Sequence, residues 1–171
     1  LFFWVARMIM AGYEYRGDKP FHNVYLTGIV RDTTHRKMSK SLGNSPDPLE
    51  LIASYSADAL RFGIMRSAPL GQDICFDEKN VELGRNFCNK LWNACRFAFM
   101  NLEGFSSGPV REEDLQVEDR WILSRLATTV REVTTMLDRY QFDQATRAVR
   151  EFTWNEFCDW YLEMLKPRFR N

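Results

Sequence analysis

Two lysines and two serines fall within five positions at Lys37-Met38-Ser39-Lys40-Ser41, and the run ends in a Gly43-Asn44 turn. Ammonium groups on flexible stems act as point charges for phosphate, while hydroxyls and loop N–H groups add donors. Upstream lies an apolar, β-branched run, Val24 to Val30, which reads as a short interior strand. Downstream, Asp47-Pro48-Leu49-Glu50 has the cap, the first-position proline and the third-position acid of a helix start. A strand, a polar loop and a helix N-terminus in that order suit the holding of phosphates, because the helix dipole favours an anion. A solvated basic loop is the alternative for any two lysines; the wording of this loop favours the nucleotide.

No other cluster competes for chemistry. The cysteines, Cys75, Cys88, Cys95 and Cys158, form no C-x-x-C pair, and His22 and His35 are not at metal-ligand spacing from them. No metal site is expected. Cys88 and Cys95 sit seven apart, on one helical face among aromatics, and read as core filler. Free thiols in such numbers suit a reducing cytoplasm.

Lys+Arg and Asp+Glu balance at 23 each, so any basic surface must be local. A hydrophobic content of 45% with thirteen Phe and five Trp is ample for a core and argues against disorder. No apolar run approaches membrane-spanning length, and Arg7 breaks the opening stretch, so neither a membrane anchor nor a signal peptide is expected. The chain opens on Leu within an apolar pattern, as a piece of something larger would.

The elements that must position the loop are mostly helices. Residues 1 to about 15 carry Phe2, Val5, Ile9 and Tyr13, with Trp4 and Met8 adjoining, a stripe broad enough to be buried on more than one side. Gly17 to Pro20 is turn chemistry. Asp47 opens a helix to about Ser54, and Ser56 caps a second from Ala57 to about Arg66, with Asp58 and Arg61 placed for an ion pair. From Asp77, one long stripe holds Val81, Phe87, Cys88, Leu91, Trp92, Ala94, Cys95, Ala98, Phe99 and Leu102. Gly104 to Pro109 is a connector. A second helix carries Ile122, Leu126, Val130, Val133, Met136, Leu137 and Tyr140. A third opens at Asp143 and should stop at Lys166, since Pro167 disfavours helix in the residue before it. Three long amphipathic helices with short connections predict an antiparallel bundle, in which Phe152, Trp154, Phe157, Trp160 and Tyr161 are core. The fold class is therefore mainly α.

Lys37 to Ser41 reads letter for letter as the signature loop of class I aminoacyl-tRNA synthetases. Phe2 to Met8, Ala57 to Phe62 and Gly84 to Asn93 resemble the valine-specific branch of that family, ahead of its isoleucine and leucine branches. The resemblance runs through the whole chain. It implies a remnant of a Rossmann-like catalytic domain over residues 1–46, a connecting helical segment over 47–76 and a helical anticodon-binding domain over 77–171. It also implies ATP as substrate with Mg2+ on the triphosphate, valine and tRNA(Val) as partners, no DNA or membrane partner, and a monomeric parent. Carried over by position, Lys37 and Lys40 are catalytic, and Gly28, Ile29, Lys37, Met38, Ser39, Lys40 and Ser41 bind ATP. Trp4 matches an aromatic closing the amino-acid pocket, with plain core as its alternative. Exposed arginines among Arg131, Arg139, Arg147, Arg150 and Arg168 are the RNA candidates.

The chain also departs from the family. The His-x-Gly-His signature is missing, as are the ribose-binding block and the editing insertion. The resemblance therefore implies part of a ligase that is inactive alone, or a helical tRNA-binding module that keeps the loop as a relic. The lysine loop is expected to be mobile without ligand.

Overall fold

The computed structural model describes residues 3–102, 104, 106 and 108–170. Within them run α1 Trp4–Arg16, α2 Pro48–Tyr55, α3 Ala57–Arg66, α4 Glu78–Met100, α5 Val117–Asp138, α6 Phe142–Glu151 and α7 Leu162–Leu165. Two short strands, β1 Val30–Arg31 and β2 Ile74–Cys75, pair in parallel, Val30 opposite Ile74 and Arg31 opposite Cys75. The fold is mainly helical, as expected. Only Val30 of the expected strand over 24–30 enters a ladder, because β2 is a two-residue partner.

α3 and α4 approach closely enough for backbone to touch backbone. A Cβ on Gly63 would lie 2.6 Å from the Asn80 carbonyl oxygen, and one on Gly84 would lie 2.4 Å from that of Ala59. Beside this contact, Leu51, Ala59, Leu60 and Val81 are buried together, with Tyr55, Ile64 and Phe76 against them. Phe62 of α3 stacks on Phe87 of α4 with centroids 4.7 Å apart. The corner between α2 and α3 is the single residue Ser56, at φ 85°, a conformation side chains rarely adopt. Its hydroxyl accepts from the Ala59 N–H at 3.3 Å. Asp47 caps α2 by accepting from the Leu49 N–H at 2.8 Å, and Asp77 caps α4 from the Lys79 N–H at 2.9 Å. Asp58 and Arg61 do not form the expected ion pair; Asp58 instead sits in the first turn of α3, where the dipole favours it.

The bundle differs in detail from expectation. α6, residues 152–161 and α7 run on as one helix, and 152–161 are π-helical. Underwinding in that stretch splits the aromatic stripe: Phe152, Trp154, Phe157 and Tyr161 are half-buried, whereas Trp160 is 60% exposed. The helix begins at Phe142, and Asp143 is a buried first-turn residue rather than the cap. Phe142 packs against Tyr25, whose ring centroid lies 5.4 Å away. α5 ends at Asp138, and Tyr140 follows it in a left-handed turn, φ 58°. On α4, Val81, Phe87 and Ala94 are buried, but Trp92 and Phe99 are 73% and 74% exposed. Cys88 is half-buried and Cys95 exposed, so only part of that stripe is core. α1 buries none of its residues, against the expectation of two-sided burial. Phe2, and Phe105 and Ser107 of the expected connector, lie outside the described residues.

Beyond α7, Arg168 reaches back to the start of α5. Its guanidinium donates to Asp119 at 2.9 and 3.1 Å and to Glu118, and Tyr161 donates to Asp119 at 2.8 Å. Burial and the hydrogen bond to Asp119 push the Tyr161 hydroxyl up to about 12. Arg168 is thus a structural cation and not a free RNA contact.

Gly63→Ala sets a gain in helix propensity of about 1 kcal/mol against overpacking of two backbones. Because the Asn80 carbonyl is main chain and cannot swing away, a net destabilisation of about 1–3 kcal/mol is expected, read as a lower urea midpoint at unchanged slope.

Candidate nucleotide-binding loop

Leaving β1, the chain turns through Asp32–Arg36 and comes back alongside itself. The Asp32 N–H donates to the Arg36 carbonyl at 2.9 Å, the Met38 N–H donates to the Val30 carbonyl at 3.2 Å, and Arg31 stands opposite Lys37. His35 takes the left-handed conformation the turn needs, φ 62°. Ser39 is extended, Lys40–Leu42 make one tight 3-10 turn, and Gly43, φ 65°, closes it with an N–H to the Lys40 carbonyl at 3.2 Å. Glycine suits that position because a Cβ is disfavoured there.

Asp32 is the hub. Its Oδ1 accepts from the Thr34 N–H at 3.0 Å, the Thr34 hydroxyl at 2.7 Å and the Arg36 N–H at 2.9 Å. Its Oδ2 accepts from Arg36 Nε at 3.0 Å and Asn44 Nδ2 at 2.9 Å. The Asn44 and Thr34 side chains, with those N–H groups, hold the carboxyl far below the usual carboxylate range. Asn44 also accepts from the Ser39 N–H at 2.9 Å. The Ser39 and Ser41 hydroxyls meet at 2.7 Å.

The platform beneath is pinned to β2. A Cβ on Gly28 would lie 1.8 Å from the Gln72 carbonyl oxygen, so only glycine fits. The Ile29 N–H donates to Asp73 at 2.9 Å, and Arg31 pairs with the same carboxylate. These contacts, the Ile29 N–H first, lower the Asp73 carboxyl. Cys75 Sγ donates to the Asp32 carbonyl at 3.4 Å.

Against this fixed base, Lys37 and Lys40 are exposed and form no ion pair among the described residues. Met38 and Ser39 are half-buried, and Ile29 is exposed. Gly28 to Ser41 thus come together as one strand–turn–loop unit. Trp4 stands elsewhere, on α1, 65% exposed, with its ring against Phe3 and Arg7. Sequence reasoning missed Asp32, Asn44 and Asp73; the Asp-Thr-Thr run before the lysines, typical of side-chain-bonded turns, was the available signal.

Chemically, the unit offers two unneutralised ammonium groups and two hydroxyls, a donor set for an anion. Among the described residues no group of three His, Cys, Asp or Glu side chains is placed to hold a metal, and no helix is long and apolar enough to cross a membrane.

A lysine loop borne on a strand, with a helical bundle behind it, is the architecture of a tRNA synthetase. Residues 1–77 match the family described as tRNA synthetases class I (I, L, M and V), and residues 119–171 match the anticodon-binding domain of tRNA ligase. The chain belongs to the class I tRNA synthetases.

Within that family it is similar, end to end, to valine–tRNA ligases. It is 49% identical to that of Petrotoga mobilis over 171 residues, covering 100% of this chain and 20% of the relative. With that of Phocaeicola vulgatus it shares 54% over 170 residues, 99% of this chain and 19% of the relative. With that of Thermotoga maritima it shares 51% over 170 residues, with the same two coverages of 99% and 19%. The chain spans about one fifth of the length of the curated relatives it matches. Among solved structures, the agnB2 LeuRS of Agrobacterium radiobacter K84, in a ternary complex with tRNA and LeuAMS, has the same fold. Its TM-score is 0.77 at 23% identity, over 96% of this chain and 21% of that chain.

The native Asp32 carboxyl titrates below its unfolded value, so its contribution to stability is complete above the ordinary carboxylate range. That contribution is lost only as pH falls through the lower native value. A carbon-13 titration of the Asp32 carboxyl should show it still ionised at about pH 3, below the ordinary aspartate value.

Proposed function

We propose that this chain supplies one half of the ATP site and the tRNA-binding bundle of a valine–tRNA ligase. Residues 1–46 serve as the end of the catalytic domain, 47–76 as the connecting segment and 77–171 as the anticodon-binding domain. The observation that carries this reading is the pair of unpaired ammonium groups, Lys37 and Lys40, on a loop whose backbone is hydrogen-bonded at its base.

In the reaction, a valine carboxylate oxygen attacks the α-phosphorus of ATP and the bond to the bridging oxygen of pyrophosphate breaks. The aminoacyl group then passes from the adenylate to the 3′-terminal ribose of tRNA(Val), releasing AMP. Lys37 and Lys40 neutralise the charge that builds on the departing phosphates, a stabilisation strongest in the transition state. Ser39 and Ser41 add donors. Gly28, Ile29 and Met38 form the backbone and apolar wall for adenine. Mg2+ would arrive on the triphosphate, since the loop's carboxylate, Asp32, is already taken up by hydrogen bonds from Thr34, Arg36 and Asn44. Trp4 closes the amino-acid pocket. The four unpaired cysteines fit a cytoplasmic enzyme.

For tRNA, the supporting feature is a cluster of three arginines, Arg66, Arg147 and Arg150, that form no ion pair among the described residues. Arg147 donates to the Arg66 carbonyl at 3.2 Å, and Arg150 lies over Trp154, 5.0 Å from its centroid. Burial, then the charges of Arg147 and Arg150, lower the Arg66 guanidinium. Such a cluster is relieved by a phosphate backbone.

The test replaces the matching segment of the Thermotoga maritima valine–tRNA ligase with this chain and follows valine-dependent ATP–pyrophosphate exchange. Lys40→Ala should lower the rate roughly 100- to 1,000-fold, and Lys37→Ala should lower it less. Unchanged exchange in both variants would refute the proposal. The 171-residue chain alone should show no exchange. In the same hybrid, replacing Arg147 and Arg150 by Ala should reduce the slope of log affinity for tRNA against log salt by about 1–2.

A further inference from the structure

The ammonium groups of the loop can serve only if they wait in the right place, yet Lys37, Lys40, Ser41 and Leu42 are all exposed and gain little from packing. What holds the loop is one carboxamide and one carboxylate. Asn44 Nδ2 donates to Asp32 Oδ2 at 2.9 Å and to the Lys37 carbonyl at 3.3 Å, while Asn44 Oδ1 accepts from the Ser39 N–H at 2.9 Å. A single side chain therefore grips the main chain on both sides of Met38. Its orientation is dictated, since Nδ2 faces two acceptors and Oδ1 faces a donor. Asp32 is fixed in turn by Thr34 and Arg36, and through its carbonyl by Cys75 of β2.

We propose that Asp32 and Asn44 are positioning residues: a clasp that sets the backbone from Lys37 to Ser39 before the nucleotide arrives, so that both lysines already face the triphosphate. This rests on the loop being a phosphate-binding loop. Neither clasp residue touches the nucleotide; both act through the main chain. Their loss therefore falls on turnover more than on ATP binding, because the lysine contacts strengthen in the transition state. Chemistry also fixes which substitutions hurt. Asp32→Asn can turn a donor toward the Asn44 donor, and Asn44→Asp sets carboxylate against carboxylate.

Two measurements decide it. In the 171-residue chain, Asn44→Ala should speed hydrogen exchange at the Ser39 amide by about tenfold while amides of α3 and α4 keep their protection; an unchanged Ser39 amide overturns the clasp. In the hybrid ligase, Asp32→Asn and Asn44→Asp should each lower kcat for pyrophosphate exchange about 10- to 100-fold, with KM for ATP within about threefold. A higher KM at unchanged kcat overturns positioning. Lys40→Ala in the same hybrid separates the two ideas. Full activity there defeats the phosphate-loop reading itself. Loss there with full activity in both clasp variants defeats the clasp alone.

Discussion

The contact of α3 with α4 at Gly63 and Gly84 is the constraint on which the rest depends. Two helices meeting through peptide groups rather than side chains have almost no freedom to slide, because any shift drives carbonyl oxygens into Cα atoms. β2 lies on the link between these helices, so its place is fixed by them. β1 pairs with β2, and the lysine loop grows from β1. The position of two exposed ammonium groups is thereby tied to a helix pair that meets through main chain and apolar side chains.

The loop divides its work by burial. Its charged hub, Asp32, is nearly out of solvent and saturated with hydrogen bonds, which makes it a rigid anchor. Its lysines are solvated and unpaired, which leaves their charge available for a ligand. Packing alone could not hold so polar a segment, and a lysine paired with a neighbouring carboxylate would have been spent at home. A similar logic separates the arginines of the bundle. Arg168 is consumed by Glu118 and Asp119, whereas Arg147 and Arg150 form no ion pair among the described residues.

Helix existence and type are legible wherever the apolar spacing is long and regular, and the caps at Asp47 and Ser56 are legible because a cap is a local bond between near neighbours. The failures share a cause. Trp92 and Phe99 carry the same spacing as buried Phe87, yet periodicity says which residues share a face and not whether a neighbour covers it. Trp160 was misassigned because a π-helical stretch changes the rotation per residue. Asp143 has the residue type of a cap, but the helix begins one residue earlier, at Phe142, whose ring packs against Tyr25.

By itself the sequence determined the helical character of the chain, the order of its elements and the identity of the lysine loop, since each is written in residues close together along the chain. The tertiary structure alone decided that Asp32 and Asn44 clasp that loop, that Asp73 pins the strand beneath it and that Arg168 closes the bundle. Those partners stand 12, 44 and 49 positions from the groups they bind. Hydrogen-bond geometry falls off within an ångström, and no pattern of residue types fixes a distance across such separations. The link between α3 and α4 carries Asp73 to Ile29, the turn after β1 brings Asp32 to Asn44, and the bundle brings Arg168 to Asp119.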